Sequence, residues 1–535
     1  MISLNPFILL PLHWHNFMLM RFLQTLVLSI TLLSSTQAQN IFHPDIIELA
    51  KATKSQFPFG VASGDPEPNS VVLWSKVFPA EMTDTIKVKW VIAADTTLKN
   101  VVGGGELIAE PASAFTVQVN QQGLQPSTTY FYCFFTDTDS SAIGRTRTAS
   151  QNGEELRFAV ASCANYQAGY FNAYGHIAKR NDIDAVIFLG DYIYEYGTRK
   201  TALRPHIPNT EILSLEDYRS RYAQNRLDSN LLEAHRLHPF ITIWDDHEFA
   251  NNSYSDGAQN HQSDEDDWEK RKSIGSKVFF EWIPIRRQPN TNKLYRSLRY
   301  GNMVELFMID GRVEGRNTPL ADFTDSLRFD TARTMLGATQ RKWLLDGMAK
   351  SDAHWRVLVN DVMFAPMDLG KIAGDRRYNM DAWDGYEGDR GRILDMVEQD
   401  TVRNLVVITG DIHTSWGIDI VRNPMDRSTY NRKTGKGVVG AEFVTPSISS
   451  PNLDEMRGKL AAKLAVPYLK GLKNNRHLNY LNTMDHGYTL LELNEEEAKC
   501  TWVFMRTVKK PSLKTKPFRS LAFPHNGRGL EKRKP

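Results

Sequence analysis

The chain is short of cysteine, carries little net charge, and contains no internal repeat or low-complexity tract. Three cysteines (Cys133, Cys163, Cys500), none in CxxC spacing, give no basis for a disulfide framework or a zinc knuckle. Cys133 and Cys500 read as plain buried thiols. A formal net charge of +2 offers no argument for a nucleic-acid partner, and no specific nucleic-acid binding is expected. Residues 22–33 form the one membrane-like apolar run, which is too short for a comfortable transmembrane helix. The N-terminal segment has neither a twin-arginine pair nor a lipobox cysteine. No interface pattern indicates an oligomer.

What is present fits an exported globular protein. At 535 residues the chain exceeds one ordinary core, so two domains are expected. With 41% hydrophobic and 24% charged residues it belongs with soluble globular chains. Arg21, the apolar run and the polar stretch 34–38 ending in Ala38 read as a signal peptide over residues 1–38. The apolar segment 1–17 fits that scheme poorly, which points to a start at Met18 or Met20. An uncleaved anchor is the competing reading. Periplasmic, secreted and cell-surface states all fit such a leader, with membrane contact only through it before cleavage.

Residues 57–148 read as all-β, with strand-like runs at 71–74, 87–92 and 115–119 separated by Gly, Pro, Asn and Asp. Leu124-Gln125-Pro126 followed by Tyr130-Phe131-Tyr132 resembles the stretch of fibronectin type III sandwiches in which a buried tyrosine caps a strand crossover. A small fibronectin-III-like β-sandwich is therefore predicted. From 156 to 508 apolar strands alternate with helical stretches, predicting a layered α/β domain. Its strands are expected at 157–162, 185–189, 241–244, 304–309, 357–359 and 405–409, and its helices at 173–179, 215–235, 264–282 and 338–349. Runs at 488–493 and 500–505 are expected to complete a second sheet. Residues 370–389, rich in Gly, Asp and aromatics, read as a long ordered loop beside the site, and 509–535 as a solvated basic tail.

Four predicted strands end in ionisable residues: Ser162-Cys163, then Gly190-Asp191-Tyr192-Ile193-Tyr194-Glu195, then Asp245-Asp246-His247-Glu248, then Gly410-Asp411-Ile412-His413. Ligand sites in α/β sheets lie past the carboxyl ends of strands. Four such ends would gather thiolate, phenolate, carboxylates and imidazoles at one point, which is what a pair of metal ions needs. Carboxylates suit hard cations, and thiolate or phenolate suits a ferric ion. Taken singly each piece is bland, since a lone Asp there is ordinarily a cap or turn residue and a lone Cys a small hydrophobe.

The blocks resemble those of the metallophosphatase superfamily: Gly-Asp-x-x-(Asp or Tyr), Gly-Asn-His-(Glu or Asp) and Gly-His-x-His. Four features together are similar to the PhoD-like alkaline phosphatase branch: Cys163 where many members begin with Asp-x-His, Tyr194, Asp246 in place of Asn, and Asp411 in place of His. Phe59-Gly60-Val61-Ala62-Ser63-Gly64-Asp65-Pro66, Val72-Leu73-Trp74, Asp217-Tyr218-Arg219-Ser220-Arg221-Tyr222 and Trp383-Asp384-Gly385-Tyr386 extend the likeness from about residue 57 to 504.

The resemblance implies an α/β/β/α catalytic fold and a ferric ion beside one or two calcium ions. Other divalent metals remain compatible. Cys163, Tyr194 and His413 would hold the iron, Asp191 would bridge, and Asp246 and Asp411 would face calcium, with Asp245 in place of Asp246 if the turn is shifted by one residue. The implied activity is hydrolysis of phosphate mono- or diesters by in-line attack of metal-activated hydroxide on phosphorus. His247 would stabilise charge or protonate the leaving group, oriented by Glu248 or Asp245; a purely structural His247 is the alternative. Arg157, Arg219, Arg312, Arg316, Arg376 and Arg390 are phosphate-binding candidates among which the sequence does not choose. Trp383 and Tyr386 either wall the substrate pocket or anchor their loop. Rival readings are a phospholipase D-like phosphodiesterase and a surface binding protein that has lost activity.

Overall fold

The computed structural model describes residues 41–79, 85–152, 155–287, 292–373, 377–399 and 402–534. The expected leader and Arg376 lie outside them.

Two large sheets face each other. In the ten-stranded sheet, Glu155–Ala161, Ala185–Leu189 and Pro239–Ile243 run parallel at the centre. In the seven-stranded sheet, Val304–Met308, Trp355–Val359, Leu405–Thr409 and Val438–Val444 do the same. Ala185–Leu189 and Leu405–Thr409 are buried at every residue, as parallel strands covered on both faces must be. Between the sheets Phe158 meets Tyr300 edge-on at 5.1 Å, and the Trp502 indole N–H donates to the Val444 carbonyl at 3.0 Å. Helices cover the outer faces. Ser229–Leu237 packs on the first sheet, and Gly337–Lys350, Glu387–Glu398 and Lys459–Gly471 close over a second core built on Phe307, Val407 and Ile418. The layering is the expected α/β/β/α.

The N-terminal β-sandwich is also present. One layer is Val101–Ala109, Ile86–Ala93, Thr129–Phe135 and Gly144–Arg147. The other, Val61–Glu67, Ser70–Lys76 and Thr116–Gln122, continues the ten-stranded sheet, because Val61–Glu67 pairs in parallel with Pro239–Ile243. Tyr130 is buried and its hydroxyl accepts from the Gln125 N–H at 2.9 Å, which is the crossover cap expected from the sequence. Gly64 is forced by this junction, since a Cβ there would sit 2.0 Å from the Pro284 carbonyl oxygen. Beside it buried Asp65 takes a two-pronged ion pair from Arg296, 2.7 and 2.8 Å, tying the sandwich to the second sheet.

Four expectations are corrected. The runs near 488 and 500 do not complete the second sheet: Gly487–Asn494 pairs antiparallel with Glu155–Ala161 in the first. The basic tail is not solvated chain. Arg519–Pro524 and Glu531–Arg533 are the last strands of the ten-stranded sheet, with Ser520, Leu521, Ala522 and Phe523 buried. The helix expected over 215–235 is two, Leu215–Arg226 and Ser229–Leu237, because the Asp228 carboxylate caps the second by accepting from Asn230 N and Leu231 N. The helix expected from 264 begins at Trp268, where Asp267 caps it.

Candidate metal centre

The four strand ends converge. Gly190 makes this possible: its φ is +91°, and a Cβ would lie 2.4 Å from the Asp245 N–H nitrogen. Cys163, Asp191, Asp411 and His413 all sit in the left-handed region, at φ of 60°, 59°, 61° and 63°. Such backbone costs of order 1–3 kcal/mol per residue and persists where the surroundings over-determine it. At Asp191 Glu248 supplies that determination, its buried carboxylate accepting from the N–H groups of Asp191, Tyr192 and Asp245.

Donor atoms of Cys163, Asp191 and His413 lie within 4.8 Å of one another. The same holds for Asp191, Asp246 and His247, and for Asp245, Asp246 and Asp411, so Asp191 and Asp246 each belong to two groups. The Tyr194 hydroxyl donates to Asp191 Oδ2 at 2.8 Å and lies 3.3 Å from His413 Nε2. His413 Nδ1 faces the Pro451 carbonyl at 3.0 Å, which directs Nε2 inward as the bare atom. Most of these residues are fully buried, while Asp411, Ile412 and His413 are partly exposed and mark the mouth.

The electrostatics call for cations. Burial, then Asp191, push the Cys163 thiol well up, and burial with Asp191 and Cys163 does the same to Tyr194. Thiolate and phenolate forms here require positive charge between them. Burial raises Asp191 well above the carboxylate range and lifts Asp411 to about 7 against the pull of Arg312. Asp246 moves the other way, to about 2, because Arg312 and His247 outweigh its burial. Burial holds His413 down to about 4, so its ring is neutral and able to bind metal. Buried Arg312 meets Asp245 through Nε, Asp381 through Nη1 at 2.6 Å and Asp411 through Nη2 at 3.0 Å. One guanidinium cannot satisfy this cluster: Asp245 Oδ2 is buried without a hydrogen-bond partner, and so is Asp246 Oδ1, which has only a long 3.5 Å ion-pair contact with Arg312 Nη2. The donor set and these orphaned oxygens fit metal ions.

The orienting role expected of Glu248 or Asp245 is corrected. Glu248 is spent on backbone N–H groups, and Asp245 on Arg312. The carboxylate on His247 is Glu195, 2.6 Å from Nδ1, itself held by Asn251 N and Asn260 Nδ2. Of the candidate arginines among the described residues, only Arg312 reaches the centre. Arg157 pairs with Glu155, Asp182 and Glu492, Arg219 with Glu281, and Arg390 with Glu387. Arg316 stands one layer back on Asp381 and Tyr386. Trp383 and Tyr386 are loop anchors, both fully buried, with Trp383 Nε1 on Asn360 and the Tyr386 hydroxyl on the Asn317 carbonyl.

Sequence reasoning gave no role to Glu195, Asp381 or Ser450. Glu195 directly follows the Gly-Asp-x-x-Tyr block and was within reach. Asp381 comes from the 370–389 loop expected beside the site, where no pattern set it apart from the other aspartates, and Ser450, 2.6 Å from the Tyr194 hydroxyl, from a loop with no distinguishing pattern.

Residues 158–502 match the family described as PhoD-like phosphatase, and residues 44–150 match its N-terminal domain. The chain is 34% identical to alkaline phosphatase D of Bacillus subtilis (strain 168) over 502 residues, 89% of this chain and 83% of that one. It also superposes on a solved structure of PhoD with a TM-score of 0.79 at 33% identity, covering 89% of this chain and 92% of that one. Alike in sequence and in fold along most of its length, the chain belongs to the PhoD-like phosphatase family and is a phosphoric ester hydrolase.

Proposed function

We propose that the enzyme is exported and hydrolyses phosphate mono- or diesters at a mixed-metal centre. Cys163, Tyr194 and His413 would hold a ferric ion, Asp191 would bridge, and Asp246 and Asp411 would face one or two calcium ions. The observation that carries this reading is the grouping of donors: the Cys163 sulfur and the His413 imidazole gather with Asp191, against which the Tyr194 hydroxyl also lies, whereas Asp245, Asp246 and Asp411 form a group of carboxylates alone. Asp245, anchored by Arg312, adds negative charge on the carboxylate side. When bound, the ions would offset the charge of the ester and activate water for in-line attack on phosphorus.

The chain's own contribution is centred on His247. Burial works against a charged ring there, but Glu195, then Asp191 and Asp246, outweigh it and raise its pKa well above the usual histidine value. Bound cations would cancel the share from Asp191 and Asp246 and leave that from Glu195. With Nδ1 held by Glu195, Nε2 is the atom from which a proton passes to the leaving-group oxygen. The intact ligand set argues against a binding protein that has lost activity. The test compares para-nitrophenyl phosphate with its bis ester for the wild type and for His247→Asn. Hydrolysis of either ester, with turnover lowered in the variant at unchanged metal content, supports the reading. Loss of metal would make His247 a ligand, and inactivity of the metal-loaded wild type on both esters would reject the proposal.

A further inference from the structure

Beside the mouth of the metal centre lies an apolar groove of about 920 Å³, walled by Ile412 and Trp416 on one side and by Leu453, Ala461, Leu464 and Tyr468 on the other. Ile412 stands between the partly exposed Asp411 and His413, so the groove shares a wall with the site. Its outer rim is the helix Lys459–Gly471, which buries only Ala462, Ala465 and Leu469.

The rest of that helix is unusual for a protein surface. Leu460 is 72% exposed, Leu464 60% and Tyr468 37%, and Met456 just before the helix is 59% exposed. Spaced four apart, Leu460, Leu464 and Tyr468 form one stripe. Lys459, Lys463 and Lys470 form a second stripe beside it, all exposed, and the helix contains no acidic residue. The basic surface continues past its end. Lys470 Nζ donates to the Asn479 carbonyl at 3.0 Å, and Asn479 borders a depression of about 660 Å³ where exposed Arg432, Lys433, Arg528 and Lys532 outnumber Glu531 and the buried Asp419. Arg528 and Lys532 belong to the basic C-terminal stretch, which the hydrolytic site does not use.

We propose that this face, the helix Lys459–Gly471 with Met456 and the basic rim beyond it, docks the enzyme on an anionic lipid surface, so that phosphate esters held there meet the Asp411–His413 loop. An apolar stripe flanked by lysines is the pattern of a helix lying in a membrane interface, with the aliphatic side chains inserted and the ammonium groups among anionic headgroups. A second copy of the chain fits poorly, because isologous pairing would set the lysine stripe against itself. The docking stands on this surface alone; only delivery of esters to the metal loop rests on the proposed function.

The test is flotation of the full metal-loaded protein with phosphatidylglycerol vesicles and with phosphatidylcholine vesicles, alongside hydrolysis of the soluble bis(para-nitrophenyl) phosphate. The wild type is expected on phosphatidylglycerol only. Leu460→Asp with Leu464→Asp should abolish binding, and Lys459→Glu with Lys463→Glu should weaken it by roughly 25-fold or more, at about fivefold per basic residue. Soluble hydrolysis should be unchanged in both. Absence from phosphatidylglycerol vesicles, or binding indifferent to both variants, would overturn the proposal, as would a dimer dispersed by the leucine changes without vesicle binding. Vesicle binding by a protein inactive on both this ester and para-nitrophenyl phosphate would instead reject the hydrolytic reading and leave the docking face standing.

Discussion

A histidine buried among carboxylates takes its charge state from the one that touches it. For His247 that residue is Glu195, at 2.6 Å and itself fully buried. Glu195→Gln should lower turnover by about 100-fold, within the usual range for general acid catalysis. Metal content should stay normal, and Glu195→Asp should recover part of the loss. Full activity in Glu195→Gln would remove its positioning role. At this scale the sequence exposed most of the residues that converge, because side chains placed directly after strand ends need no knowledge of the packing. It could not distribute the second layer. Glu248 lies next to His247 in the chain yet faces backbone N–H groups, while Glu195 arrives from another strand end. Arg312 was one of six equivalent arginines until packing placed it among Asp245, Asp381 and Asp411.

The strand Ser70–Lys76 is buried throughout and ends in a lysine. Lys76 Nζ lies 4.6 Å from the Trp282 ring centre and donates to the Ala114 carbonyl at 2.7 Å. Burial, only partly opposed by Glu281, lowers its pKa from 10.5 to about 7. The sign follows from linkage. Between the folded and unfolded values the unfolded chain binds the extra proton, so this residue's cost to stability is largest below pH 7 and fades as the pH rises toward 10.5. Denaturant unfolding of Lys76→Met against wild type should show the variant's relative stability falling by about 2 kcal/mol between about pH 7 and 9. A difference independent of pH would mean that Lys76 titrates as an ordinary lysine. Elements were legible where one periodicity ran alone, as in 185–189 and 405–409. They were misread where local chemistry intervened, as at the Asp228 cap, or where charge masked alternation. Arg519–Pro524 sits in a basic stretch, and only its pairing with Glu497–Phe504 reveals a strand.

Across the whole molecule the two predicted domains share a sheet. Gly64 and Asp65 lock the sandwich against Pro284 and Arg296, which gives the Phe59-to-Pro66 block a structural purpose that composition could not disclose. The layered fold was legible from the alternation of strands and helices, whereas the shared sheet depends on long-range pairing that no local pattern encodes. The mixed-metal centre rests on the sorting of soft and phenolic donors from carboxylates about Asp191. Its most direct test is elemental analysis with a visible spectrum of the protein purified without chelators. Iron together with calcium is expected, with a broad charge-transfer band that Cys163→Ala shifts or abolishes. Zinc or manganese without such a band would contradict the roles given to Cys163 and Tyr194.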